Sequence, residues 1–129
     1  MNEKKRKFTF KKYERISKYK EIKDVIEKGE KIFVDGLIVY LYRNPNYKFP
    51  RIAVLVSNKV EKLAVKRNKF KRRIREIFRL SKHKILQPID IIIIATKNSV
   101  RAKYKFLETC FIKALRSKGL IINDNEGNI

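Results

Sequence analysis

Between Lys66 and Arg79 the sequence places eight cationic side chains, Lys66, Arg67, Lys69, Lys71, Arg72, Arg73, Arg75 and Arg79, around Asn68 and against one acid, Glu76. Wound as a helix at about 100° per residue, Asn68, Arg72, Arg75 and Arg79 form an outward ridge. Arg67 and Lys71 lie on one flank and Lys66 and Arg73 on the other. The opposite arc holds Leu63, Phe70, Ile74 and Ile77, with Phe78 at its edge, and is expected to pack on a sheet. A solvated helix face usually mixes signs, because Glu–Lys pairs four apart support a helix and like pairs such as Lys71–Arg75 oppose it. A one-signed face therefore costs local stability, and bound phosphates would remove that cost. Arg at every cationic position of the ridge favours planar, bidentate contacts with phosphate. The Asn68 amide suits bridging phosphates or bases, or orienting a hydrated cation; plain exposure is its simpler role. The chemistry implied is the binding of a polyanion.

The whole chain supports that reading. Thirty-four Lys and Arg against thirteen Asp and Glu give a net charge of +21 over 129 residues. Such a field recruits polyanions, nucleic acid first and an acidic membrane surface second, and strains the compact state by self-repulsion. One cysteine, Cys110, excludes an intrachain disulfide and fits a reducing cytosol. With a single histidine, His83, it cannot furnish a zinc ligand set. The acids show no DxD pair or EF-hand spacing, and His83 lacks the partner that acid–base ribonuclease chemistry needs. The four glycines form no phosphate loop. A nuclease site carried by this chain is thus not expected. The apolar run Ile91–Ala95 is far shorter than the roughly 20 residues of a membrane span and reads as a buried strand. Charge throughout the first thirty residues argues against a signal peptide, so a cytoplasmic protein is expected.

The elements that must position the basic helix follow from periodicity. Residues 1–11 read as a basic flexible tail, whose lysines could track a phosphate backbone together with Lys12 and Arg15. Ser17 is expected to cap a first helix running to about Lys28 and stopping at Gly29, with Tyr19, Ile22, Val25 and Ile26 on one face. Residues 31–42 read as one strand, bulged near Asp35-Gly36, and Asn44-Pro45-Asn46 as a turn. Residues 51–57 read as a second strand, apolar on both faces and therefore expected to be central. The basic helix spans about 62–82 and Gln87-Pro88 breaks it; 89–96 is another buried strand. Ser99 is expected to cap a last helix to about Ser117, with Phe106, Leu107, Cys110, Phe111, Ala114 and Leu115 in its apolar stripe. The order predicts one α/β domain over 12–118, a small two-layer sandwich with helices on a sheet of about four strands, followed by a polar tail at 119–129.

At Lys66-Arg67-Asn68-Lys69-Phe70-Lys71-Arg72-Arg73-Ile74-Arg75-Glu76 the chain resembles the protein subunit of bacterial ribonuclease P. The block matches that family's basic "RNR" signature. A strand ending Val56-Ser57-Asn58-Lys59 precedes it, and an Asp90-plus-apolar strand follows it, as in the family. The resemblance implies a left-handed β-α-β crossover, an exception to the usual right-handed rule. It implies an RNA-binding subunit that does not itself cut. A catalytic RNA, holding most of the Mg2+, removes the 5′ leader of precursor tRNA, and the protein strengthens substrate and metal affinity. It implies that Lys66, Arg67, Asn68, Lys71, Arg72, Arg75 and Arg79 bind the RNA subunit, and that Tyr19, Ile22, Ile26 and Tyr40 line a leader-binding cleft, with no membrane and no protein partner required. Two positions depart from the pattern. Ile22 and Ile26 stand where many members carry Phe, and isoleucine cannot stack on bases; Tyr19 is the aromatic on the same helix. Glu61 stands where the family often has Gly.

A structural RNA-binding protein of ribosomal type is the alternative, since charge alone does not separate the two; the ordered motif between matching strands favours the first. In either case the inferred native anion sites have a measurable consequence. Sulfate or pyrophosphate should raise the melting temperature of the free protein by binding its folded state. An unmoved melting curve would contradict concentrated native anion sites.

Overall fold

The computed structural model describes residues 9–121. The elements are helix α1 (Tyr19–Lys28), strands β1 (Glu30–Val34), β2 (Leu37–Tyr42) and β3 (Arg51–Leu55), helix α2 (Ala64–Ser81), strand β4 (Asp90–Ile94) and helix α3 (Tyr104–Ser117). The four strands lie in the order β1-β2-β4-β3, so β3, expected to be central, is an edge strand and β4 holds the interior position. The first two contacts are antiparallel, and β3 pairs with β4 in parallel. Parallel neighbours need a crossover, and α2 is that crossover.

Alternation along the strands gives the sheet two faces. Val39, Leu41, Ile52, Val54, Ile91 and Ile93 point to one face, where Phe70, Ile74, Ile77 and Phe78 of α2 and Leu107, Phe111 and Leu115 of α3 complete the main core. The four α2 side chains are fully buried, as the helical arc requires. Each contributes about 1.5–3 kcal/mol of burial, against a few tenths for each like-charge pair on the outer face, so packing sustains the helix. Cys110 is buried in the same core, and burial pushes its thiol pKa up; it behaves as a small hydrophobe. On the other sheet face, Ala53 and Ile92 pack with Ile16 and with Val25 of α1.

Several expectations change. Residues 31–42 form two strands, because Asp35 and Gly36 both take positive φ, 47° and 91°, and reverse the chain in a two-residue hairpin. Ser17 and Ser99 do not cap helices. α1 begins after Lys18 and α3 after Lys103, both in extended backbone with no side-chain cap. The Ser99 hydroxyl instead accepts from the Thr96 amide at 3.0 Å. Leu63 is 52% exposed, because the chain is still extended there and α2 starts one residue later. Phe106 is also exposed, on the rim of its stripe. The domain reaches past both expected boundaries. Phe10 packs edge-on against Phe78, with ring centroids 5.7 Å apart. Leu120 and Ile121 are buried, and Ile121 bridges to Ile85. The remainder of both expected tails lies outside the described residues.

Two polar clusters fix the helices to the sheet. Arg51 makes two hydrogen bonds to Asp90, at 2.9 and 2.8 Å, and both residues are buried. The Asn44 amide donates to the same carboxylate at 3.0 Å. The Arg51 guanidinium also lies 3.4 Å from the Tyr47 ring centroid and 3.4 Å from Glu21 of α1. The Tyr47 hydroxyl donates to Glu21 at 2.6 Å, which lowers the Glu21 pKa, with Arg51 adding to the effect. At the end of α1 the Gly29 amide donates to the Val25 carbonyl at 2.7 Å. A Cβ on Gly29 would lie 2.4 Å from that oxygen and 2.9 Å from the Leu41 carbonyl of β2, so only glycine permits this approach. The second cluster precedes α2. Buried Glu61 accepts from the Arg101 side chain at 2.6 and 3.0 Å and from the Leu63 amide at 3.2 Å.

Arg51→Leu leaves Asp90 buried without its cation. It should lower the free energy of unfolding by about 3–5 kcal/mol, read from the urea midpoint; an unchanged midpoint would show that the pair does not brace α1 and the sheet. The Arg101 hydrogen bonds, against an opposing effect of burial, hold the Glu61 carboxyl at about 2 instead of 4.5. A lowered folded-state pKa gives stability that is present above about pH 4.5 and lost as pH falls toward 2. Between those values Glu61→Gln should show a shallower acid limb of stability against pH than the wild type; parallel limbs would exclude this role.

Candidate nucleic-acid interface

The outer face of α2 carries the expected row. Asn68 and Arg72 are exposed, and Lys66, Arg67, Lys71, Arg75 and Arg79 are half-buried. Among the described residues, Asn68, Lys71 and Arg72 make no side-chain hydrogen bond or ion pair. Asn68, Arg72, Arg75, Glu76 and Arg79, with Phe10, line an open hollow of about 350 Å³. Phe10 forms its floor, and the Arg15 guanidinium sits 5.4 Å from the Phe10 ring centroid. Burial, then repulsion by Arg15, lowers the Arg75 pKa. A cation held half-buried beside another cation is a surface prepared for an anion.

The other basic residues divide into anchors and free groups. The Arg67 guanidinium turns back to donate to the Glu61 and Lys62 carbonyls at 2.8 and 2.9 Å, so it ties down the chain entering α2. Arg73 donates to the Ala102 carbonyl at 2.5 Å and joins α2 to the segment before α3. Arg79 pairs with Glu76 at 2.6 Å, and this bond raises its pKa. Lys66, Lys69, Arg73 and Arg101 surround a second, small hollow of about 60 Å³. Lys82, at the end of the helix, grips Glu14 at 2.7 Å and the Thr9 carbonyl. That clamp draws residues 9–15 along the basic face and places Phe10 and Arg15 there.

The residues assigned by resemblance to a cleft meet on the other sheet face. Ile22 and Ile26 of α1 pack with Tyr40, Tyr42, Leu55 and Ile94 around the second core. Tyr19 does not join this cluster. It is the first residue of α1 and is 79% exposed, because the face of the helix that meets the sheet starts one turn later, at Ile22. His83 is exposed in the turn after α2. Among the described residues no three His, Cys, Asp or Glu side chains gather into a metal site, and no helix is long and apolar enough to cross a membrane.

Sequence reasoning named Arg15 as a possible phosphate contact and Glu61 as a departure from the family pattern, but missed Phe10, Arg101 and the structural role of Glu61. Glu61 carried a signal, as an acid just before a helix N-terminus, where the dipole favours negative charge. Phe10 carried none, since its place depends on the contact of Lys82 with Glu14 across the fold.

Comparison with known proteins places this geometry. The family model described as Ribonuclease P matches residues 10–119. The ribonuclease P protein component of Syntrophus aciditrophicus is 35% identical over 124 residues, covering 96% of this chain and 97% of the relative. That of Alkaliphilus oremlandii is 34% identical over 107 residues, covering 83% and 92%. Among solved structures, the Staphylococcus aureus RNase P protein superposes with a TM-score of 0.76 at 28% identity, over 84% of this chain and 98% of that one. The Thermotoga maritima RNase P protein gives 0.72 at 25% identity, over 81% and 96%. A match over nearly the whole described fold, with the basic helix inside it, means that this chain belongs to the ribonuclease P protein family.

Proposed function

We propose that the outer face of α2 docks this chain on the catalytic RNA of ribonuclease P, and that the face between α1 and the sheet receives the 5′ leader of precursor tRNA. The chain is the protein component of an endoribonuclease that matures tRNA 5′ ends. The observation that carries the docking assignment is the uncompensated row itself: Asn68 and Arg72 unpaired among the described residues, beside Arg75 with Arg15 as its charged neighbour. Docked phosphates would supply the countercharge that the chain withholds there.

The division of labour follows from the residues. Hydrolysis belongs to the RNA, and the Mg2+ that activates it is held mainly by RNA phosphates. The buried carboxylates of this chain support that view, since Glu14, Glu61 and Asp90 are each committed to a cation of the protein. Arg72 and Arg75 contact RNA phosphates, with Lys66, Lys71 and Arg79 flanking them, and Asn68 bridges neighbouring groups. Arg67 adds contact while holding the entry to the helix. By neutralising backbone charge where the RNA strands converge, the row lowers the Mg2+ concentration the RNA needs. Ile22, Ile26 and Tyr40 bound the leader site, with Tyr19 at its outer end. The work is cytoplasmic and requires no further protein.

The test is cleavage of a leader-bearing precursor tRNA at low millimolar Mg2+, by the protein, the catalytic RNA, or both. Activity is expected only in the combination and should be lost with Arg67→Ala/Arg72→Ala. RNA affinity should fall with salt at a log–log slope of roughly −4 to −7, as for about six to eight neutralised phosphates. A slope near −1 would remove the docking assignment. Tight RNA binding without stimulation would move the chain to a structural, ribosomal-type role.

A further inference from the structure

The register of the sheet brings Phe33, Ile38, Ile94 and Leu55 into one row across all four strands. They share the face that carries Tyr40. The next row, Lys31, Tyr40, Ile92 and Ala53, is where α1 begins to cover the sheet, and Ile92 and Ala53 are buried there. The first row runs out from under that cover: Ile94 and Leu55 still pack against the second core, and Phe33 does not join it. Ile38, Ile94 and Leu55 are half-buried, whereas Phe33 is 65% exposed. On the opposite face β1 is closed by buried Val34 and half-buried Ile32.

We propose that Phe33 is a specificity-determining residue of the leader site, supplying the base-stacking surface that Ile22 and Ile26 of α1 cannot. The inference rests on the leader reading above and extends its site onto β1. Phe33 and Tyr40 are diagonal neighbours across an antiparallel pair, about 7–8 Å apart, a spacing that successive nucleotides of an extended single strand can match. Sequence-tolerant stacking on an aromatic face is how single-stranded nucleic acid is held without base readout. Strand propensity alone favours Phe at such a position, but an exposed aromatic on an edge strand invites unwanted pairing, and edges are usually blunted with charge. Charge does flank the row: Lys31 on the same face of β1 and Lys97 just beyond β4 are both exposed. Two lysines beside an apolar, aromatic strip, with the nearby Asp35 paired to Lys113, favour a single-stranded polyanion over a lipid or an apolar protein partner, and the strip is continuous with the Ile22–Tyr40 surface.

The experiment compares reconstituted holoenzymes carrying wild-type protein, Phe33→Ala, Phe33→Leu and Phe33→Trp. It measures dissociation constants for a leader-bearing precursor and for the mature tRNA. Phe33→Ala should reduce the preference for precursor roughly five- to hundredfold, the range for loss of one stacked base, with mature tRNA affinity unchanged. Phe33→Trp should restore the preference and Phe33→Leu should not, since leucine keeps apolar bulk without a stacking face. Restoration by Leu would mean packing and overturn the proposal. If the wild type discriminates and Phe33→Ala discriminates equally, Phe33 has no part in an otherwise sound leader site; if that variant also loses self-association, the row serves a second copy of the chain. If the wild-type holoenzyme shows no preference for precursor, the leader reading fails, and this inference fails with it.

Discussion

Burial of Phe70, Ile74, Ile77 and Phe78 beneath α2 is the interaction on which the rest depends. The outer surface of that helix repels itself and would not persist as an isolated peptide. Four buried side chains contribute several kcal/mol in total, well above the cost of its like-charge pairs. The core therefore sustains a charge density that no local interaction would. Because α2 also connects β3 to β4, it is tethered at both ends to the parallel pair it packs on. The result is a rigid, unneutralised row, which suits docking on another rigid polyanion.

The second face of the sheet is arranged differently. α1 is held by a polar network, Arg51 with Asp90, Glu21 and Tyr47, and by the close approach at Gly29. Directional bonds of this kind specify an angle. The angle sets how much of the sheet is left uncovered. The two faces thus use the same sheet for separate purposes.

Much of this was legible in the chain. The apolar arc of α2, the outward ridge, the strand character of 51–55 and 90–94 and the burial of Cys110 all followed from periodicity. The hairpin at Asp35-Gly36 was misread as a bulge, although Asp-Gly between apolar runs is a turn signal; the unbroken run of β-formers on both sides concealed it. The caps were misassigned because a serine is only one route to a helix start. Here Lys18, Leu63 and Lys103 hold the cap positions, and before α2 a distant arginine and a buried glutamate secure the turn instead. Within the candidate interface, residue types were readable but commitments were not. Nothing in the order of residues says that Arg67 turns back to two carbonyls, that Arg79 answers Glu76, or that Phe10 crosses to Phe78. Those depend on contacts between segments far apart in the chain.

The strand order β1-β2-β4-β3 also bears on how the protein comes into being. Among the described residues β4 is the last strand, yet it lies inside the sheet, between β2 and β3. During synthesis from the N-terminus, the β1–β2 hairpin and β3 have no hydrogen-bonded contact with one another until residues 90–94 emerge. The basic helix is made before that moment, so it leaves the ribosome ahead of the sheet that will support it. The sheet beneath the basic helix is therefore completed late, by one short isoleucine strand.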